Sequence, residues 1–266
     1  MGILNVTPDS FADGGRFLRG GRVDVGAAVD AAHAMAAAGA AIIDVGGEST
    51  RPGAEAVDVE VELNRVIPVV ERIASIGTIV SVDTSKAAVA SAALAAGAHM
   101  INDVRAGADA NLLDVVARHG AALCLMHMRG EPRTMQDAPE YQDVVSEVCS
   151  FLAARAALCR DHGVAADSIV VDPGFGFGKT TTHNLTLLRR LGEIVGLGYP
   201  VLVGLSRKRT IGALTGRDAP AERVFGSVAA AALAIERGAD IVRVHDVAAT
   251  MDAVRVAAAV KENSST

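Results

Sequence analysis

The chain has 266 residues, long for one small domain and ordinary for a single α/β barrel, and its net charge of −6 leaves no broad basic surface for nucleic acid. Half of it is hydrophobic but only 3% is aromatic, and the apolar mass is Ala, Val, Leu and Ile, which suits buried β-branched strands flanked by Ala-rich helices. No apolar run is long enough to span a bilayer, so no membrane is expected, and the three cysteines (Cys124, Cys149, Cys159) lack metal-ligand spacing and read as free thiols of a cytoplasmic protein.

In chain order, eight short apolar runs each end in polar residues: "GILNVT" (2–7), "AIIDVGG" (41–47), "TIVSVDT" (78–84), "MINDV" (100–104), "ALCLMHM" (122–128), "IVVDPG" (169–174), "VLVGLS" (201–206) and "IVRVHD" (241–246). The chain opens almost directly inside the first run, so residues preceding it are expected to be missing. Continuous hydrophobicity fits parallel strands covered on both faces. Between them lie helical patterns such as "VGAAVDAAHAMAAAG" (25–39), "VELNRVIPVVERIAS" (61–75) and "SVAAAALAIERG" (227–238). Pro68 in the second predicts a kink or a later helix start. Gly39, Gly97, Gly120, Gly163 and Gly238 each stand just before a strand, where a left-handed residue closes a helix. Repeated helix, Gly, strand is the alternation of a closed barrel, expected as one domain over 1–266 with a polar tail at about 261–266. A doubly wound open sheet is the competing architecture, disfavoured by eight strands without a fingerprint glycine loop.

"DPGFGFGKTT" (172–181) resembles a phosphate loop at first sight. A P-loop needs a glycine five residues before its Gly-Lys pair, and that position holds Pro173, which has no amide to donate. The dinucleotide spacing fails as well, so Gly174, Gly176 and Gly178 are read as permitting an unusual backbone path, with Lys179 solvent-facing or structural.

In a barrel all strand C-termini meet at one rim, where catalytic residues collect. The closing residues here are Asn5, Glu48 with Thr50 and Arg51, Asp83, Asn102, His127, Asp172, Ser206 with Lys208, and Arg243 with His245. Each could be a simple strand cap; polar closure of all eight points to a site. The segments 5–17 and 47–54, rich in Gly, Pro, Ser and Asp, read as long mobile rim loops.

The motifs "GILNVTPDSFADGG", "IIDVGGESTRPGA", "SVDTSK", "INDV", "CLMHM", "DPGFGFGK", "VGLSRK" and "RVHDV", in that order along nearly the whole chain, closely resemble the dihydropteroate synthase family. The resemblance implies an eight-stranded TIM barrel that joins p-aminobenzoate to 6-hydroxymethyl-7,8-dihydropterin diphosphate in folate biosynthesis. It further implies release of diphosphate, use of Mg2+, competition by sulfonamides and a homodimer. Carried over by motif, it makes Asp83, Asp172 and Lys208 catalytic and puts Asp83, Asn102, Asp172 and Lys208 around the pterin, with Met126 lining the site. Thr50 and Arg51 match the loop that touches the diphosphate and aminobenzoate regions, Arg243 and His245 match the anion site, and Asn5 matches the magnesium-linked asparagine. Phe11, Pro52, Phe177 and Ser206 match the aminobenzoate pocket, and His127 is expected to be structural. The resemblance implies dissociative chemistry, in which an arylamine attacks a pterin methylene cation and needs no dedicated base.

Two other readings stay open on the residues. One is a Schiff-base aldolase using Lys208, which requires a buried lysine in an apolar pocket and a carbonyl substrate. The other is a pterin-binding module that hands a methyl group to a corrinoid protein; it needs a cobalamin-binding domain or partner, and none is expected after Thr266.

Overall fold

The computed structural model describes residues 1–7, 17–19, 22–49, 54, 56–130, 134–136 and 138–263. Eight parallel strands form the interior: β1 (Gly2–Asn5), β2 (Ile42–Gly46), β3 (Ile79–Asp83), β4 (Met100–Asp103), β5 (Ala122–Met126), β6 (Ile169–Asp172), β7 (Leu202–Val203) and β8 (Ile241–Val242). The first six pair in sequence order, β7 pairs with β8, and single parallel bridges Val171–Val201 and Gly2–Val244 join β6 to β7 and β8 to β1. The ring is closed, and every described pairing around it is parallel.

Why these runs become strands follows from where they sit. Ile43, Val45, Val80, Val82, Ile101, Leu123, Leu125, Ile169 and Val171 are buried, packed among the helix residues Ala28, Val70, Ala90, Leu112, Val145 and Leu187. The helices are α1 (Val25–Ala37), α2 (Val59–Ile73), α3 (Ala87–Ala95), α4 (Ala110–His119), α5 (Val144–Asp161), α6 (Thr181–Arg189), α7 (Leu191–Val195), α8 (Arg209–Thr215), α9 (Val224–Glu236) and α10 (Val247–Asn263). Asp24, Asp109 and Asp143 accept from backbone amides in the first turns of α1, α4 and α5, while Thr180 and His183 cap α6 reciprocally. The five expected closing glycines all adopt left-handed φ, from 60° at Gly120 to 104° at Gly97.

Two boundaries differ from the sequence expectation. Helix α2 starts at Val59 and continues through Pro68. An interior proline costs about 3 kcal/mol, whereas Val66, Val69, Val70 and Ile73 on the same helix are fully buried and each contributes roughly 1.5–3 kcal/mol. Burial therefore wins. The polar end of the chain is also helical as far as Asn263, as the last turn of α10.

Register fixes the level of the rim. Asn5 pairs with Gly46, Gly46 with Asp83, and Asp83 with Asn102, so four strands contribute one row. One layer below, Ile3 pairs with Asp44, Asp44 with Ser81, and Ser81 with Met100. Residues two apart on a strand share a face, so Asp44 lies directly beneath Gly46.

Candidate active site

Asp44 is fully buried and accepts three hydrogen bonds: from Ser81 Oγ (2.6 Å) and Asn102 Nδ2 (3.1 Å), and from Arg243 Nε (2.6 Å). The same guanidinium donates from Nη2 to Asp83 Oδ2 at 2.9 Å. One arginine thus holds two carboxylates from neighbouring strands, each through a different nitrogen of its planar fork. Burial pushes the Asp83 carboxyl up to about 7; Arg243 opposes the rise, and Asp44, Glu62 and Asp103 add to it. At neutral pH that carboxyl is poised between acceptor and donor.

Across the rim, Asp172 closes β6 and accepts from the Gly174 amide at 2.7 Å. Burial raises its carboxyl, while Lys208, the Gly174 amide, Lys179 and Arg243 hold it down. Lys208 donates to the Phe175 carbonyl and stands 4.7 Å from the centroid of the Phe177 ring. Burial lowers the Lys208 ammonium to about 8 against the pull of Asp172. Met126 is paired in register with Asp172, which puts it beside the same position.

The glycine-rich stretch after Asp172 takes the unusual path read from its composition: φ is 68° at Gly174, 81° at Gly176 and 59° at Gly178. A Cβ on Gly174 would lie 1.9 Å from the His127 carbonyl oxygen, and one on Gly178 would lie 2.4 Å from that of Arg129. Only glycine allows so close a backbone approach. Of the two readings of Lys179, structural is the one found. The residue is 3% exposed, and its Nζ reaches His127 Nδ1 and three backbone carbonyls. Burial lowers it to about 7. His127 is structural too, packed edge-on against Phe151 with ring centroids 4.9 Å apart, and burial with Lys179 beside it lowers its ring to about 3.

On the β7–β8 side, Ser206 Oγ meets His245 Nδ1 at 3.0 Å and accepts from the His245 amide at 3.1 Å. Burial, then Arg243 and Arg207, lower the His245 ring to about 3, so it is neutral at pH 7 and can offer an anion a hydrogen bond but no charge. Arg243, expected at the anion site, has Nε and Nη2 committed to carboxylates; Nη1 has no hydrogen-bond partner among the described residues. Asn5 stands at the rim beside Gly46, whose missing side chain leaves room for Asn5 Oδ1. Among the described residues no group of three His, Cys, Asp or Glu could hold a metal. Phe11, Thr50, Arg51 and Pro52 lie outside the described residues, as do most of the two expected rim loops.

Sequence reasoning missed Asp44, Glu62 and Lys86. Asp44 lies inside an apolar strand and not at its end. Glu62, fully buried on α2, and Glu48 are joined by Lys86, and Glu48 Oε1 accepts from the Val57 amide at 3.1 Å, closing the base of the second rim loop.

A family model described as pterin binding enzyme matches residues 1–245. Dihydropteroate synthase of Escherichia coli (strain K12) is 51% identical over 267 residues, covering 99% of this chain and 93% of that protein. Among solved structures, Yersinia pestis dihydropteroate synthase in a sulfonamide drug complex superposes with a TM-score of 0.93 at 45% identity, covering 98% of this chain and 93% of that one. The Xanthomonas albilineans enzyme in complex with 7,8-dihydropteroate gives a TM-score of 0.85 at 49% identity, covering 98% and 92%. The likeness extends over almost the whole length of these proteins, and the chain belongs to the dihydropteroate synthase family of pterin-binding enzymes.

Proposed function

We propose that this chain condenses p-aminobenzoate with (7,8-dihydropterin-6-yl)methyl diphosphate, giving 7,8-dihydropteroate and diphosphate. The observation that carries the reading is the convergence of Asp83, Asn102, Asp172, Lys208 and Arg243 on one rim of a barrel whose relatives make dihydropteroate. A pterin presents an amino group and a ring N–H side by side, and a carboxylate accepts such a pair in parallel. Asp172 suits that role, because the Gly174 amide fixes one of its oxygens and Lys208 opposes the rise that burial imposes on its carboxyl. Asn102, held by Asp44, offers an amide to the ring edge, and Asp83 completes it.

Lys208 and Arg243 bring positive charge to a substrate with several negative ones, and the neutral His245 adds a donor. As diphosphate departs, positive charge develops on the pterin methylene, and Asp83 and Asp172 lie where they can offset it. An arylamine attacks such a carbon without a base. Phe177 supplies an aromatic wall for the aryl ring, and Lys208 over its face joins the two halves of the site.

Mg2+ fits this donor set as a cation held chiefly by substrate. It keeps several waters and needs few protein ligands, and Asn5 offers one neutral oxygen where the diphosphate would bring anionic ones. When bound, the ion would neutralise charge on the leaving group. Thr50, Arg51, Phe11 and Pro52 keep the parts the resemblance implies, and sulfonamides are expected to compete for the aryl pocket. A homodimer is part of the same proposal, as the resemblance implies. No described helix is long and apolar enough to cross a membrane, and a cytoplasmic setting is part of the same proposal.

Calorimetry with the pterin diphosphate, then with p-aminobenzoate, followed by detection of dihydropteroate, tests the reading. Ordered binding and product formation are expected; absence of product from both substrates with Mg2+ present overturns it. Borohydride trapping on Lys208 would instead support the aldolase alternative.

A further inference from the structure

The five consecutive carbonyl oxygens of residues 174–178 are all captured by side-chain donors. Lys179 Nζ takes Gly174 O and Phe177 O at 3.0 Å each, Lys208 takes Phe175 O, Gln136 takes Gly176 O at 2.5 Å, and the Tyr141 hydroxyl takes Gly178 O at 2.8 Å. Lys179 Nζ also reaches across to the preceding strand's exit, at 2.9 Å from His127 Nδ1 and 3.2 Å from His127 O. The reason for this concentration is the glycine contacts. The stretch is pressed tightly on the backbone of residues 127–129, and the carbonyl oxygens of His127, Gly174 and Phe177 all lie within 3.2 Å of Lys179 Nζ; buried carbonyls grouped in this way need a shared donor. The Lys179 amine, which brings its donors together on one atom, fills that place.

We propose that Lys179, which the reaction itself does not use, is a positioning residue for the aryl half of the site: its Nζ clamps the glycine-rich stretch to the end of β5 and thereby sets the Phe177 wall. This rests on the p-aminobenzoate reading given above. The clamp is selective for that half. Asp172, on the other side, is placed by its strand, in register with Met126, and the middle of the stretch is tied separately by Asn184, which accepts from the Gly176 amide at 2.9 Å and donates to Thr210 at 2.8 Å. Loss of Lys179 should therefore loosen 174–178 without dislodging the pterin aspartate.

The test uses the full-length enzyme carrying Lys179→Met, which keeps an apolar stem and removes the donor. Three quantities are measured: the KM for p-aminobenzoate, the dissociation constant of the pterin diphosphate, and amide hydrogen exchange of the peptide covering 172–180. The expected result is a KM for p-aminobenzoate raised about tenfold or more, a pterin affinity reduced by a clearly smaller factor, and faster exchange confined to that peptide, as follows from losing several bonds to one donor. Tyr141→Phe removes one tie at Gly178 and should move the same KM in the same direction by about two- to fivefold. Equal losses for both substrates, or an unchanged KM for p-aminobenzoate, overturns the proposal. If Lys179→Met does not fold, Tyr141→Phe carries the test on the same criterion. Should the wild-type enzyme fail to use p-aminobenzoate, the function reading falls, while unchanged exchange in the variants would separately sink the clamp.

Discussion

Replacing Asp44 by asparagine separates the charge of this buried carboxylate from its shape. Its Oδ2 accepts from Arg243 Nε and Asn102 Nδ2, and its Oδ1 from Ser81 Oγ. An amide oxygen at the Oδ2 position keeps both nitrogen donors, and the amide nitrogen then faces a serine hydroxyl, which can turn from donor to acceptor. No polar atom is orphaned. The cost is a charge-assisted bond reduced to a neutral one, about 1–2 kcal/mol, whereas Asp44→Val strands Arg243 and Asn102 and should cost roughly 3–5 kcal/mol. The charge also acts on Asp83, which burial holds at about 7 with Asp44 pushing upward and Arg243 downward. A carboxyl raised on folding takes up its proton more readily in the native state. Stability therefore declines as pH rises from the unfolded value of about 4 towards 7, and the penalty is complete above that window. Removing Asp44 lowers the upper edge, so part of the decline disappears. Urea unfolding of both proteins at intervals from pH 4 to 8.5 measures this as a difference, in which unaffected groups cancel. The variant should lose less stability than wild type between pH 5 and 7. Parallel curves, or a steeper fall in the variant, would refute the account of how Asp44 and Asp83 are coupled.

Three further outcomes follow from the same geometry. Asp172→Asn should weaken pterin binding about ten- to hundredfold by calorimetry, because one acceptor of a charge-assisted pair is lost; an unchanged constant would remove Asp172 from the pterin site. Gly174→Ala meets a backbone oxygen at 1.9 Å with φ at 68°, so the stretch must shift bodily. A loss of at least about 3 kcal/mol, seen as a melting temperature lower by roughly 6 °C or more, is expected. Dialysis against EDTA should abolish turnover and Mg2+ should restore it, since a departing diphosphate needs a cation; activity that survives chelation would count against Asn5 as a metal residue.

How much of this could be read from the chain depends on whether the cause is local. The eight strands are legible because a parallel strand covered on both faces is apolar at every position, and their ends are legible because barrel rims collect polar residues. That is how Asp83, Asn102 and Asp172 were found. Asp44 follows the opposite logic. It sits in the middle of "AIIDVGG", where a rim search does not look, and its partner Arg243 lies 199 residues away, brought near only when β8 closes beside β1. The available signal was energetic: an ionisable group in an uninterrupted apolar strand cannot stay charged inside a barrel unless a cation and further donors come with it. Asking which cation could reach it would have pointed to the rim arginine. The same question changes the reading of Arg243 itself, which motif reasoning assigned to the diphosphate. With two of its nitrogens spent on Asp44 and Asp83, its guanidinium is partly neutralised before any substrate arrives. Among the described residues, Arg243 Nη1 and Lys208 are then left to meet a diphosphate, which is the ground for proposing that Mg2+ supplies further charge.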